Sequence, residues 1–158
     1  MSELDGALQR EIRQTRAFRS PAQEAALSVL RTADLIRRRV GEILEPFGVT
    51  TQQYNVLRIL RGARGPVPTL DIAERMIERT PGVTRLLDRL EERGWVARER
   101  CREDRRRVLC TLTPAGEALL ESVGDAAEAA DEAVMAPLSA EEVASLLRML
   151  ARVRLPLR

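Results

Sequence analysis

Between Val83 and Thr113 the spacing of apolar residues changes once, from a helical repeat to a strand repeat. Val83, Leu86, Leu87 and Leu90 recur at i, i+3, i+4 and i+7, a single narrow stripe. Thr84, Arg85, Asp88, Arg89, Glu92 and Arg93 cover the remaining faces of the same helix. Gly94 stands where a left-handed C-terminal cap belongs. Trp95–Cys101 and Arg107–Thr113 then read as two strands joined by a charged tip, Arg102-Glu103-Asp104-Arg105-Arg106. A helix with one thin apolar stripe and a hairpin directly behind it cannot form a core alone. Other helices must supply the rest.

Capping signals place those helices. Ser20-Pro21-Ala22-Gln23 offers a cap, a first-turn proline and a capping-box glutamine, and predicts a long helix from Pro21 to about Leu44. Thr50-Thr51-Gln52-Gln53 opens another, to about Arg61, with Tyr54, Leu57 and Leu60 buried. Gly62, Gly65, Pro66 and Pro68 read as loop. Thr69 is expected to cap a short helix, Leu70–Glu78, with Leu70, Ala73, Met76 and Ile77 at helical spacing. Thr80-Pro81 is expected to open the helix that ends near Arg93. Thr113-Pro114 starts a long acidic helix towards Met135, and Ser139-Ala140-Glu141-Glu142 starts a last one to about Val153. The class is mainly α with a small β-hairpin wing.

Two short helices joined by a tight turn, followed by an arginine-tipped hairpin, make a winged helix-turn-helix. The open face of the second helix suits major-groove entry. Gly82 lets the helix start approach a phosphate backbone, Thr80 and Thr84 can bond phosphate or bases, and the helix N-terminus attracts phosphate. Arg85 and Arg89, one turn apart, are within reach of guanine edges or phosphates. At the tip, a projecting arginine suits the negative potential of a narrow minor groove. Asp104 is spaced to brace Arg106, leaving Arg105 for phosphate. Each feature also has a plain reading, as a solvated amphipathic helix and a charged turn.

Charge and composition narrow the function classes. Residues 80–113 carry nine Arg against six acids, and residues 114–150 one Arg against eight acids. A basic middle beside an acidic flank fits one face on DNA and another turned away. The chain has no His, and all 26 of its basic residues are Arg. The commonest general base and zinc ligand are therefore missing, as are Schiff-base and phosphate-loop lysines. No cofactor or metal is expected. Arginine's planar fork serves phosphate and guanine contacts well. No apolar run approaches the ~18 residues a membrane span needs, and the N-terminus has no export pattern, which predicts a cytoplasmic protein.

Three stretches are similar to the MarR family of bacterial regulators. They are residues 49–57 (VTTQQYNVL), residues 84–96 (TRLLDRLEERGWV) and residues 104–116 (DRRRVLCTLTPAG). The resemblance runs over roughly residues 25–150. It implies a winged-helix lobe, residues 49–113, and a helical dimerisation lobe formed by residues 1–48 and 114–158 of both chains. The expected partners are double-stranded operator DNA and a second copy of the chain. Arg106 becomes the arginine that enters the minor groove, held by Asp104. Leu4, Leu8 and Ile12, with Leu146, Leu147, Leu150 and Val153, are the expected dimer contacts. Two-fold symmetry implies a pseudo-palindromic operator with half-sites about one DNA turn apart. Some relatives bind small aromatic anions, for which Arg31, Tyr54 and Arg58 are the candidates here.

Two other readings stand beside this one, an enzyme built on carboxylates and a winged-helix adaptor for proteins. No acidic pair sits in a catalytic frame. Salt dependence separates an adaptor from a DNA reader, since each neutralised phosphate releases counterions. The two cysteines both fall on the wing. If the hairpin closes around Arg102–Arg105, Cys101 faces Arg106 and Cys110 faces about Ala97, roughly 13 Å apart along the ladder. That is too far for a disulfide, and leaves Cys101, between two arginines, as a candidate single reactive thiol.

Overall fold

The computed structural model describes residues 6–78 and 81–157. Along them run α1 (Ala7–Glu11), α2 (Pro21–Leu44), α3 (Thr51–Arg61), β1 (Val67–Pro68), α4 (Thr69–Arg75), α5 (Val83–Glu92), β2 (Val96–Arg100), β3 (Val108–Leu112), α6 (Pro114–Met135) and α7 (Ala140–Arg154). The mainly helical class with a small antiparallel wing is the one the sequence predicts. The chain divides into two compact units, one up to Arg39 and one from Val40 onward.

In the first unit the Ser20 hydroxyl accepts from the Gln23 N–H at 3.2 Å. The Gln23 side chain accepts from the Arg19 N–H, one residue short of the expected box closure on Ser20. Leu8 is buried, and Arg31 lies between Glu11 and Asp34, at 3.7 Å from each. Leu4 lies outside the described residues.

The second unit holds the main core. Leu44, Val56, Leu57, Ile72, Leu87, Leu90, Val96, Cys110, Leu120 and Val123 are all fully buried. The end of α2 from Val40, helices α3 to α6 and both hairpin strands thus close on one interior. The Thr50–Gln53 box forms as expected, each residue's side chain accepting the other's backbone N–H. The same reciprocal pair forms between Ser139 and Glu142 at the start of α7.

The sheet has three strands, ordered β1-β3-β2, where the sequence predicts a hairpin alone. Val67 pairs with Cys110 and Pro68 with Leu109, in a stretch expected to be loop. Two residues carry no period, so the pattern could not reveal them. Pro68 is tolerated because β1 lies at the sheet edge, where a missing N–H disrupts no second ladder.

Candidate nucleic-acid interface

Helix α4 ends three residues earlier than the apolar spacing predicts. Met76 leaves the helix in an extended conformation, with φ −60° and ψ 135°. The Ile77 N–H donates to Asn55 Oδ1 on α3 at 3.0 Å, drawing the chain away from the helix path. Helical spacing therefore fails past Arg75. Ile72 and Met76 are buried, whereas Leu70 and Ile77, expected on the inner face, are 75% and 81% exposed. Thr69 is not a cap either. It is the first helical residue, and its hydroxyl donates to the Val108 carbonyl of β3.

Helix α5 begins at Val83, two residues after the expected Pro81. Gly82 precedes it with φ +82°, a left-handed conformation that most side chains disfavour. That dihedral, and no crowding, requires glycine: a Cβ there would meet nothing within 4 Å. Thr80 lies outside the described residues. Val83, Leu87 and Leu90 are buried, and Leu86 is half-buried against the core. The stripe therefore packs as its spacing predicts, leaving Thr84, Arg85 and Arg89 exposed on the outer side.

The wing pairs Val96 with Leu112, Arg98 with Cys110 and Arg100 with Val108. The Cys101 N–H donates to the Arg107 carbonyl, so the hairpin closes one residue later than expected. Cys101 thus faces Arg107 instead of Arg106, and Cys110 faces Arg98 instead of Ala97. Three ladder positions, about 10 Å, separate the two cysteines, and both are free thiols. At the tip the Arg107 N–H donates to the Asp104 carbonyl at 2.9 Å. The Asp104 carboxylate accepts the backbone N–H of Arg106 at 3.0 Å. Asp104 thus braces Arg106 through its backbone. The Arg105 and Arg106 side chains stand exposed.

Three sets of contacts, none read from the sequence, fix α5 to its surroundings. Arg98 on β2 grips Glu91 through Nε at 2.8 Å and Nη2 at 2.6 Å, and Nη2 also lies 2.6 Å from Asp88. The bond from Glu91 raises the Arg98 pKa above its ordinary value, against the opposing effect of burial. Arg93 donates to the Gly48 carbonyl at 3.0 Å and lies 5.0 Å over the Trp95 ring. Finally, the Thr113 hydroxyl donates to the Gly94 carbonyl at 2.6 Å and accepts from the Gly116 N–H. The Thr113 N–H donates to the Trp95 carbonyl. This last set ties the end of α5 to the start of α6, and gives a physical role to the Leu-Thr-Pro-Ala-Gly segment.

The candidate ligand residues are divided between the units. Arg31 lies in the first, beside Glu11 and Asp34, with a buried Nε that makes no hydrogen bond. Tyr54 and Arg58 lie in the second, where Tyr54 is buried and the Arg58 guanidinium sits 5.8 Å over its ring. No helix among the described residues is long and apolar enough to cross a membrane.

Two short helices, a turn and a three-stranded wing on one core define a winged helix-turn-helix protein. A family model described as the MarR family matches residues 49–108. The HTH-type regulator YwoH of Bacillus subtilis is 41% identical over 92 residues, 58% of this chain and 66% of that protein. The crystal structure of a MarR transcription factor from Planctomyces limnophilus is 39% identical with a TM-score of 0.65, over 85% of this chain and 98% of its own. A mutant MarR from E. coli, complexed with operator DNA, is 26% identical with a TM-score of 0.74, over 96% of this chain and 99% of its own. The chain belongs to the MarR family of DNA-binding transcriptional regulators.

Proposed function

We propose that this regulator is a homodimeric, ligand-responsive repressor that binds a pseudo-palindromic operator in the cytoplasm. In this reading the outer side of α5, through Gly82, Thr84, Arg85 and Arg89 and with Thr80 preceding it, meets the major groove. Arg106 enters the adjacent minor groove and Arg105 contacts phosphate. The observation that carries the reading is the pairing of a helix whose outer face is Thr84, Arg85 and Arg89 with a tip that Asp104 braces beneath Arg106. The E. coli relative solved with operator DNA supports it.

Dimerisation has its own support. No residue of α7 is buried in the single chain, and Leu147, Met149 and Val153 are each more than half exposed. A 15-residue amphipathic helix left this open needs a partner surface. For the effector, a small aromatic anion is the proposed class, with Tyr54 and Arg58 of the second unit as candidate residues.

Footprinting on DNA flanking the chain's own gene tests the reading, with salt titrated and candidate anions added. A protected site with two half-sites about one turn apart is expected. Its affinity should fall steeply as salt rises. Absence of any protected site, or affinity indifferent to salt, would overturn it.

A further inference from the structure

We propose that Arg98 is a positioning residue for DNA recognition, which locks the reading helix to the wing so that both meet the duplex in one fixed geometry. The inference rests on the DNA-binding reading above. Helix α5 and the wing approach different grooves in that reading. The angle between them must then match the duplex, and any slack is lost as ordering entropy on binding. The covalent link between them is short but includes Gly94 at φ +73°. The buried stripe Val83, Leu87 and Leu90 holds the inner side of α5, and the side facing β2 is left to side chains.

Arg98 supplies the hold on the side of α5 that faces β2. It stands on β2, opposite the fully buried Cys110 of the central strand, so its base is anchored in the core sheet. Its guanidinium reaches two carboxylates on α5, three residues apart on the side facing β2. Both contacts are at 2.6 Å, and the grip on Glu91 uses two nitrogens. Both nitrogens converge on one Glu91 oxygen while Nη2 also meets Asp88, so the planar guanidinium is oriented between two carboxylates, which a point charge cannot reproduce. Arg98 also has an electrostatic effect. Asp88 and Glu91 are the carboxylates of α5 that it neutralises, on a helix that must approach phosphates. Its own side chain is only 21% exposed, so it is spent on these partners and is not counted among the groups that touch phosphate.

Arg98→Lys and Glu91→Gln test this with two duplexes, the operator and a random sequence of equal length, across a salt series. Arg98→Lys keeps the charge and removes the planar fork, and Glu91→Gln breaks the lock from the α5 side, so an effect shared by both belongs to the lock. Each variant is expected to keep the parental circular dichroism and bind random duplex within about twofold of the parent. Each should bind operator about tenfold more weakly, the scale of a single base-edge interaction. The slope of log affinity against log salt should not change. If the operator-to-random ratio stays parental in both variants, the positioning role is wrong. If Arg98→Ala lowers the slope by about one, Arg98→Lys restores it, and the operator-to-random ratio of Arg98→Lys stays parental, Arg98 acts as a phosphate contact and the inference fails. Failure of the parent to prefer operator would instead defeat the DNA-binding reading itself.

Discussion

Replacing Gly116 by alanine should destabilise the chain by about 2 kcal/mol, through one steric conflict at the joint between α5 and α6. A Cβ at Gly116 would lie 2.3 Å from the Trp95 carbonyl oxygen and 2.7 Å from a Leu112 methyl, where real Cβ atoms essentially never come within 3.0 Å. The oxygen cannot yield, because Trp95 is held by its own N–H on the Leu90 carbonyl and by the Thr113 N–H on its oxygen. Helix α6 must therefore retreat, and this strains the 2.6 Å bond between Thr113 and Gly94. Overpacking of this kind costs ~1–3 kcal/mol. Weakening the Thr113 bonds adds ~0.5–1.5 kcal/mol. The better helix propensity of alanine offsets up to ~1 kcal/mol. Urea unfolding at fixed protein concentration gives the difference, since the proposed dimerisation would make stability concentration-dependent. Gly124, on the same helix, has nothing within 4 Å of its would-be Cβ. Gly124→Ala should accordingly stabilise, by up to ~1 kcal/mol. The two substitutions should have opposite signs. If Gly116→Ala proves neutral or stabilising, the close packing of α6 on Trp95 is refuted.

Other outcomes follow from the proposed interface and core. Arg106→Ala should weaken operator binding and leave the protein folded; operator affinity equal to the parent, by gel shift, would remove the wing arginine from the proposed interface. Arg85→Ala or Arg89→Ala should flatten discrimination among operator variants by about 1–3 kcal/mol for each base edge left unread, measured by competition binding. Burial pushes the Cys110 thiol up, with the Thr69 hydroxyl and the Arg98 charge opposing it. The unfolded thiol therefore ionises first, so this contribution to stability is full below the ordinary thiol range and lost as pH rises through it. Urea unfolding from about pH 7 to about pH 9.5, spanning the ordinary thiol range, should show that decline, and Cys110→Val should lack it. In the native chain a thiol reagent should modify the half-exposed Cys101 well before Cys110, and mass spectrometry after brief labelling decides this. Ser139→Ala should cost about 1 kcal/mol by removing a formed N-terminal cap from α7, read from urea unfolding.

Local chemistry alone decided most of the element list. The capping boxes at Thr50 and Ser139, the stripe Val83–Leu90 and the left-handed Gly94 are each satisfied by residues close to one another in the chain. Such features act whatever the rest of the chain does, which is why they could be read in advance. The arginine-rich tip and the outer face of α5 were legible for the same reason, since exposed side chains at helical or turn spacing depend on no distant partner.

What the pattern could not supply was decided between elements. Asn55 on α3 binds Ile77 where α4 ends early and Ile77 turns outward, a bond across 22 residues of sequence. β1 exists because Val67 and Pro68 meet β3, although two residues have no periodicity of their own. The hairpin register slid by one residue because backbone bonds at Asp104 and Arg107 set the turn. Arg98, Arg93 and Thr113 look like ordinary polar residues in the chain, and their roles came from partners on other elements. The sequence alone determined the long helices, the two hairpin strands and which arginines face outward. Only the tertiary structure decided how α5 is held, because Glu91, Gly48 and Gly94 accept their bonds from residues that folding brings to them.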